Sequence, residues 1–434
     1  MATSEQQKII DLIRREVVPA VGCTEPIAVA LCAAVAAETL GRQAEAHPER
    51  VEVRLSANVL KNAMGVGIPG TGMIGLPIAV ALGTLYGSSS RELELLGGVT
   101  PEQVAEGKRY ISTNPINITL AEGDLPKLYI EVEVCRGAES ARAVIAGTHS
   151  SVVLIERNGS LLRGGEIAAD AADSTDASVE LSLRKVYDFA MQTPLEDLEF
   201  IMEAERLNMA AAETSFGENY GHGLGVMLRS GAGAQKMLGD TLFSRILSYT
   251  SAACDARMSG APVPVMSNSG SGNQGIASTV PVVVYGRECG ASHEQMVRAL
   301  ALSHLTVIYI KEGLGRLSAL CGCVVAATGS SCGITYLMGG GYEEISIAVK
   351  NMVANLTGMI CDGAKPSCSL KLSSGISTAV FSAMMAMEHR CTTSTEGIVD
   401  DDVDKTIRNL TDIGRDAMDE TDRMILNIMT NKCN

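Results

Sequence analysis

Residues 128–134 read Leu-Tyr-Ile-Glu-Val-Glu-Val, an alternation of apolar and polar side chains like that of a half-buried strand. Residues 51–55 and 141–146 have the same character. Helical apolar spacing interrupts these strands near residues 76–85 and 101–110. The sequence therefore predicts an inserted α/β module of mixed sheet and helices at residues 49–170.

The rest of the chain has helical periodicity. Residues 171–434 carry apolar side chains at helical spacing, with one sustained interruption at residues 262–281. Residues 1–48 contain two helical segments separated near Pro19 and Pro26, and we expect both to pack on the helical domain. The predicted fold class is α+β, with a mostly helical core domain at residues 171–434.

Composition excludes several kinds of partner. The chain has 46% hydrophobic and 20% charged residues, as folded globular proteins do. Its 35 Lys and Arg against 50 Asp and Glu give a net charge of −15, which argues against nucleic acid or an anionic membrane as partner. Apolar stretches fall short of the roughly 20 residues that span a membrane. The N-terminal residues lack a signal-peptide pattern, so the expected location is the cytoplasm.

Two cysteine-bearing segments carry the clearest sign of chemistry. One contains Cys321 and Cys323, and the other contains Cys361 and Cys368 on a loop with glycine and proline between them. Three thiolates from two loops can hold an iron–sulfur cluster and leave one iron without a protein ligand. Four thiolates could instead bind structural zinc, although the spacings match no standard zinc pattern, and buried structural thiols are a third alternative. Spacing alone leaves all three open.

Cys23 directly precedes an expected helix with Pro26 in its first turn. A thiol at a helix N-terminus lies at the positive end of the helix dipole, so we expect a lowered pKa for Cys23. By contrast, Cys254 has small and apolar neighbours and is expected to be a buried structural thiol. His149 and His222 are interpreted as structural histidines.

The interruption at residues 262–281 contains a polar, glycine-rich loop. Such a loop offers hydroxyl, amide and backbone N–H donors in a small space, which suits a substrate carboxylate, whereas the alternative is a surface linker. The candidate substrate-binding residues are Ser267, Asn268, Ser269, Gly270, Ser271 and Asn273.

Four segments in this order resemble the L-cysteine desulfidase family, which is related to the α chain of the iron–sulfur L-serine dehydratases. They are Gly22–Pro26, Ser267–Gly275, Cys321–Cys323 and Cys361–Cys368, and the similarity extends over nearly the whole chain. The resemblance implies a 4Fe-4S cluster and the breakdown of L-cysteine to pyruvate, ammonia and sulfide without pyridoxal phosphate. L-serine dehydratases space the last cysteine pair differently, which favours the desulfidase branch.

By the same resemblance, Cys321, Cys361 and Cys368 would hold the cluster and Cys23 would be the catalytic cysteine, while Cys323 is an alternative to Cys321. Substrate coordination would neutralise charge that develops at Cα and on the leaving group, with Cys23 as a candidate base. L-serine dehydration by the same chemistry is the alternative function. A zinc-stabilised, non-catalytic binding protein is the second alternative.

Two residues near these motifs each have two alternative roles. Lys365 is a possible countercharge for substrate or an ordinary surface lysine. Cys433 lies near the C-terminus, where a tail thiol could occupy the open iron, or could belong to an unremarkable tail. The expected partner is a small amino-acid substrate, L-cysteine, and the chain is compatible with a homo-oligomeric state.

Overall fold

The computed structural model describes residues 2–42, 46–123, 125–164, 179–315 and 318–431. Cys433 and the predicted module boundary at residue 170 lie outside these described residues. The α-helices are α1 (Ser4–Glu16), α2 (Thr24–Leu40), α3 (Ala57–Ala63), α4 (Leu76–Tyr86), α5 (Pro101–Thr113), α6 (Leu183–Gln192), α7 (Leu195–Leu198), α8 (Met202–Gly217), α9 (Leu224–Ser230), α10 (Ala232–Leu238), α11 (Leu242–Met258), α12 (Gly272–Glu288), α13 (His293–Leu314), α14 (Gly322–Leu337), α15 (Tyr342–Leu356), α16 (Cys368–Met387), α17 (Val403–Asp412) and α18 (Asp419–Thr430). The strands are β1 (Pro19–Val21), β2 (Arg50–Leu55), β3 (Gly67–Ile68), β4 (Met73–Ile74), β5 (Ile116–Leu120), β6 (Tyr129–Arg136), β7 (Glu139–Ala146), β8 (Val152–Arg157), β9 (Ser160–Gly164) and β10 (Pro264–Met266).

Most helices after residue 179 share one hydrophobic core. Helix α14 lies near its centre and packs against α12, α13, α15 and α16. Small residues permit this close packing, since a Cβ on Gly329 would lie 2.4 Å from the carbonyl oxygen of Ser303. Helix α1 adds its buried isoleucine and leucine side chains to the same core.

The module contains a six-stranded mixed sheet in the order β5-β2-β6-β7-β8-β9. Strands β2 and β5 are parallel, and the other neighbouring pairs are antiparallel. In β2 the buried Val51, Val53 and Leu55 alternate with the less buried Glu52 and Arg54, as the period of two predicts. A helical core with a mixed sheet and its helices confirms the predicted α+β fold.

Helix α2 lies elsewhere than predicted. It packs against β6, β7 and α4, so it belongs to the core of the sheet module, whereas only α1 joins the helical core. The physical reason is that almost every position from Ile27 to Ala37 is small or apolar and buried. A helix that is apolar on all sides needs cover on all sides, and the sheet and α4 provide it.

A short strand pair joins the N-terminal segment to the helical core. Strand β1 pairs antiparallel with β10, with Ala20 opposite Val265. Cys23 therefore follows one strand of the pair, and the loop that begins at Ser267 follows the other. The interruption predicted at residues 262–281 is shorter than expected, because α12 already begins at Gly272 and continues through Pro281.

Helix α16 is long and apolar enough to cross a membrane by length and composition, contrary to the expectation that no stretch would be. Half of its apolar window is buried, and it packs against α11, α14 and α15. Core helices of folded domains have the same character.

Candidate active site

A cavity of about 520 Å³ lies where the sheet module meets the helical core. Residues of both parts line it, including Asn62 and His149 from the module and Lys311 from the helical core. Most of the predicted site residues line this one cavity, namely Cys23, Ser269, Gly270, Ser271, Asn273, Cys321, Cys361 and Cys368.

The two cysteine segments are joined directly by backbone hydrogen bonds. The N–H of Cys321 donates to the carbonyl oxygen of Met359 over 2.9 Å, and the N–H of Cys361 donates to Ala319 over 2.7 Å. These bonds form an antiparallel bridge between Leu320 and Ile360. Cys321 and Cys361 are therefore held at equivalent positions on paired loops.

Cys368 reaches the same cavity because the loop after Cys361 turns tightly. Gly363 in this loop has a φ of +88°, and a Cβ there would lie 2.1 Å from the carbonyl oxygen of Lys61. Only glycine fits this conformation and this close approach. The turn delivers Cys368 to the first position of α16.

Lys365 is engaged within the cluster loop. Its Nζ lies 2.5 Å from the Asp362 carboxylate and donates to the carbonyl oxygens of Asp362 and Gly363 over 3.1 Å. Lys371 also pairs with Asp362. Lys365 therefore ties the loop together and does not line the cavity.

Cys321 and Cys323 are neighbours with different protonation behaviour. A hydrogen bond from Cys323 lowers the pKa of Cys321, and the same contact raises the pKa of Cys323. Both side chains line the cavity. Cys321, which directly follows the bridged Leu320, is thus also the one that more readily becomes a thiolate, the form that binds iron.

Three thiols in the cavity wall, Cys321, Cys361 and Cys368, could hold an iron–sulfur cluster. Among the described residues, no group of three or more His, Cys, Asp or Glu side chains is spaced to hold one metal ion. A cluster spreads its ligands around several iron atoms, so thiols on two paired loops around a cavity of this size suit it. Cys321, Cys361 and Cys368 line the cavity from these two segments.

Cys23 is the N-cap residue of α2, and its Sγ lies 2.9 Å from Oε2 of Glu25. Burial, followed by the negative charge of Glu25, raises the pKa of the Cys23 thiol far above its ordinary value. The predicted lowering of this pKa is therefore wrong. The helix terminus is present as expected, but desolvation and an adjacent carboxylate outweigh it.

Glu25 was not predicted as a site residue. Its carboxylate accepts hydrogen bonds from Cys23 and Thr24 on one oxygen, and from Nδ2 of Asn62 over 3.2 Å on the other. Burial acts to raise the pKa of Glu25, but His149, the Cys23 contact and Arg257 together bring it below its ordinary value. His149, which was interpreted as structural, thus belongs to the site.

The polar loop divides into a structural part and a part that faces the cavity. Ser267 donates to the carbonyl oxygen of Val18 over 2.6 Å, and Asn268 is buried against His304 with its Nδ2 3.0 Å from the ring. Neither residue lines the cavity, because both secure the loop from behind. Their predicted contact with substrate stays a prediction. The residues that face the cavity are Ser269, Gly270, Ser271 and Asn273.

Arg257 was also missed by the sequence analysis. It lines the cavity from the end of α11 and is only 4% exposed. Its Nη1 donates to Oδ1 of Asn273 and its Nη2 to the carbonyl oxygen of Gly22, each over 3.1 Å, while its Nε has no partner among the described atoms. An arginine late in an apolar helix was the one available sequence signal. A buried guanidinium with an unused donor suits a carboxylate ligand.

Four helices begin at the cavity wall. Cys23, Ser271 and Cys321 are the N-cap residues of α2, α12 and α14, and Cys368 begins α16. Helix N-termini carry partial positive charge and unpaired N–H groups. Their convergence favours anionic groups such as thiolates and a substrate carboxylate.

Comparison with known proteins agrees with this arrangement. The model of the serine dehydratase alpha chain family matches residues 90–427, which include both cysteine segments and the polar loop. The UPF0597 protein of Bacteroides thetaiotaomicron is 63% identical over 432 residues, covering 100% of this chain and 99% of the relative. UPF0597 proteins of Porphyromonas gingivalis and Oleidesulfovibrio alaskensis are 57% and 45% identical, each over 100% of both chains. The chain therefore belongs to the serine dehydratase alpha chain family.

Proposed function

We propose that this protein is an iron–sulfur-dependent L-cysteine desulfidase, a carbon–sulfur lyase that releases pyruvate, ammonia and hydrogen sulfide. One observation carries the proposal: three thiols from two paired loops open onto the same cavity as Cys23 and the buried Arg257. Membership of a dehydratase family supports β-elimination as the class of reaction.

The proposed cofactor is a 4Fe-4S cluster held by Cys321, Cys361 and Cys368. When bound, it would supply a Lewis acid to a substrate that has no pyridoxal to stabilise its carbanion. Cys321 directly follows the bridged Leu320, as Cys361 directly follows Ile360, which supports Cys321 over Cys323 as the ligand.

The proposed role of Arg257 and Asn273 is to bind the substrate carboxylate. Asn273 accepts a hydrogen bond from Arg257, which fixes its amide, and the Arg257 side chain supplies positive charge at the cavity wall. Ser269 and Ser271 add hydroxyl groups at the same wall. A carboxylate held here would lie between the thiols and Cys23, so its Cα–H bond would be near the catalytic cysteine.

L-serine dehydration is the second candidate function, because the matched family is named for it. Cysteine and serine differ only in the leaving atom, and a thiolate leaves more readily and suits iron better than a hydroxyl. Parallel assays of sulfide release from L-cysteine and pyruvate release from both amino acids would separate the two. Faster turnover of L-serine would assign the dehydratase instead.

The cluster assignment is tested by anaerobic reconstitution with iron and sulfide. We expect Cys361→Ser and Cys321→Ser to lose bound iron and visible absorbance, whereas Cys323→Ser should retain both. Cys289→Ser is the matched control, since Cys289 is exposed and outside the cavity. Full iron content in Cys361→Ser would reject the assignment.

A further inference from the structure

The contact between Cys23 and Glu25 places a proton donor against a proton acceptor inside the cavity. Both side chains line it, and Sγ lies 2.9 Å from Oε2. Thr24 donates to the same carboxylate, and Asn62 from α3 donates to its other oxygen over 3.2 Å. The carboxylate is therefore held in place from two elements, and its sulfur-facing oxygen points at Cys23.

Removal of the α-proton needs a group that is unprotonated before the reaction. In this contact the thiol donates and the carboxylate accepts, so Cys23 by itself holds a proton and cannot take another. Arg257 on α11 and His149 after β7 are the cationic or titratable neighbours that act most strongly on the pair, and Lys127 and Lys311 line the same cavity. Positive charge from these neighbours favours an ionised Glu25.

We propose that Glu25 is the proton acceptor that converts Cys23 from a thiol into a base during the reaction. This inference rests on the proposed desulfidase function and adds a residue to it. The S–H bond of Cys23 breaks as an O–H bond forms on Glu25, and the sulfur takes the α-proton of L-cysteine. The electron pair of the broken Cα–H bond forms the Cα=Cβ double bond, and the Cβ–S bond breaks with its pair on the departing sulfide.

The proton on Glu25 then passes to that sulfide, which leaves as hydrogen sulfide, and Cys23 retains the proton taken from Cα. Both residues thus regain their starting protonation without any external oxidant or reductant. The product 2-aminoacrylate hydrolyses to pyruvate and ammonia in water. This exchange of protons requires an ionisable group at position 25, and an amide of the same shape cannot replace it.

Glu25→Gln tests the proposal on the reconstituted full chain. We expect kcat to fall about 100-fold, as loss of general acid–base catalysis does, with visible absorbance retained and KM little changed. The kinetic isotope effect of α-deuterated L-cysteine should rise, because proton abstraction becomes slower. Glu25→Asp should recover part of kcat. Glu38→Gln, at the exposed end of the same helix, is the control and should match wild type.

A second readout needs no turnover and no cluster. Alkylation of Cys23 with iodoacetamide against pH, resolved by peptide mass spectrometry, reports the thiolate fraction. Removing the negative charge of Glu25 should move the midpoint to lower pH, whereas Glu25→Asp should keep it near the wild-type value. The exposed Cys289, which the reagent reaches, serves as a reference thiol.

Unchanged kcat and isotope effect in Glu25→Gln, in a wild type that releases sulfide, would overturn the inference while the proposed function stands. An inactive wild type would instead remove the proposed function. In that case the alkylation profile still tests whether Glu25 controls the protonation of Cys23. An unshifted alkylation midpoint in Glu25→Gln would overturn the inference.

Discussion

Arg257 donates a hydrogen bond from Nη2 to the carbonyl oxygen of Gly22 over 3.1 Å, which fastens the end of α11 to the residue that precedes Cys23. Its other terminal nitrogen holds Asn273 at the same distance. One buried cation therefore positions Cys23 and the polar loop relative to each other. The geometry of the site depends on this residue as well as on the cysteines.

Arg257→Gln should weaken substrate binding. Hydrogen bonds to charged groups contribute about 1.5–3 kcal/mol, so we expect KM to rise about 10- to 100-fold. Arg257→Lys keeps the charge but loses the planar fork, and it should give an intermediate KM. Steady-state kinetics in reconstituted protein measure this, with the exposed Arg206→Gln as control. A wild-type KM in Arg257→Gln would exclude Arg257 as a carboxylate-binding residue.

Gly22→Ala should distort the approach to Cys23. Gly22 has a φ of +74°, and a Cβ there would lie 2.5 Å from Cγ of Pro69. We expect a loss of about 1–2 kcal/mol in the free energy of unfolding from the left-handed backbone alone, with a loss of activity from displacement of Cys23. Denaturant titration and kinetics check both effects. Gly233→Ala, which has open space around its Cβ position, should not be destabilised; an equal loss there would contradict the account.

Lys61→Met should destabilise the C-terminal region. Lys61 is 1% exposed and pairs with Asp422 of α18. Lys61→Met leaves the Asp422 carboxylate without its countercharge. Removing one partner of a buried ion pair costs about 3–5 kcal/mol. Because Asp422 is partly exposed, the loss should lie at the lower end. Urea unfolding measures it, with the exposed Lys108→Met as control. An unchanged unfolding midpoint would show that the pair contributes no stability.

His304 should make stability depend on pH. Burial lowers the pKa of its imidazole to about 3, and its ring nitrogens contact Asn268 and Thr279. The unfolded chain binds a proton near pH 6.5 and the folded chain does not, so stability is full above about pH 6.5 and falls as the pH approaches 3. The expected slope is about 1.4 kcal/mol per pH unit from this group. Unfolding of His304→Gln at several pH values should lack that slope; an identical pH dependence would contradict the assignment.

The sequence predicted the parts of the site that depend on local pattern. Helix ends, paired cysteine segments and a glycine-rich loop are visible along the chain, whereas the choice of Cys321, Cys361 and Cys368 as ligands came from the family resemblance and stays a prediction. Arg257 and Glu25 were missed because their roles arise only when α11, α2 and the polar loop meet in space. The pKa of Cys23 was predicted in the wrong direction for the same reason, since burial and Glu25 act only in the folded chain.

The placement of α2 shows a second limit of the sequence. Its apolar residues indicate a buried helix, but they do not say which core buries it. Ser267 and Asn268 show a third limit of prediction from sequence. Polar residues in a loop support its backbone as readily as they bind a ligand. The division between these roles depends on the direction of each side chain.

The most direct test of the central claim is the measurement of sulfide and pyruvate released from L-cysteine by the anaerobically reconstituted wild-type protein, beside Cys361→Ser. We expect sulfide and pyruvate in equal amounts from the wild type, and neither from Cys361→Ser. Iron-loaded wild-type protein that releases no sulfide from L-cysteine would contradict it.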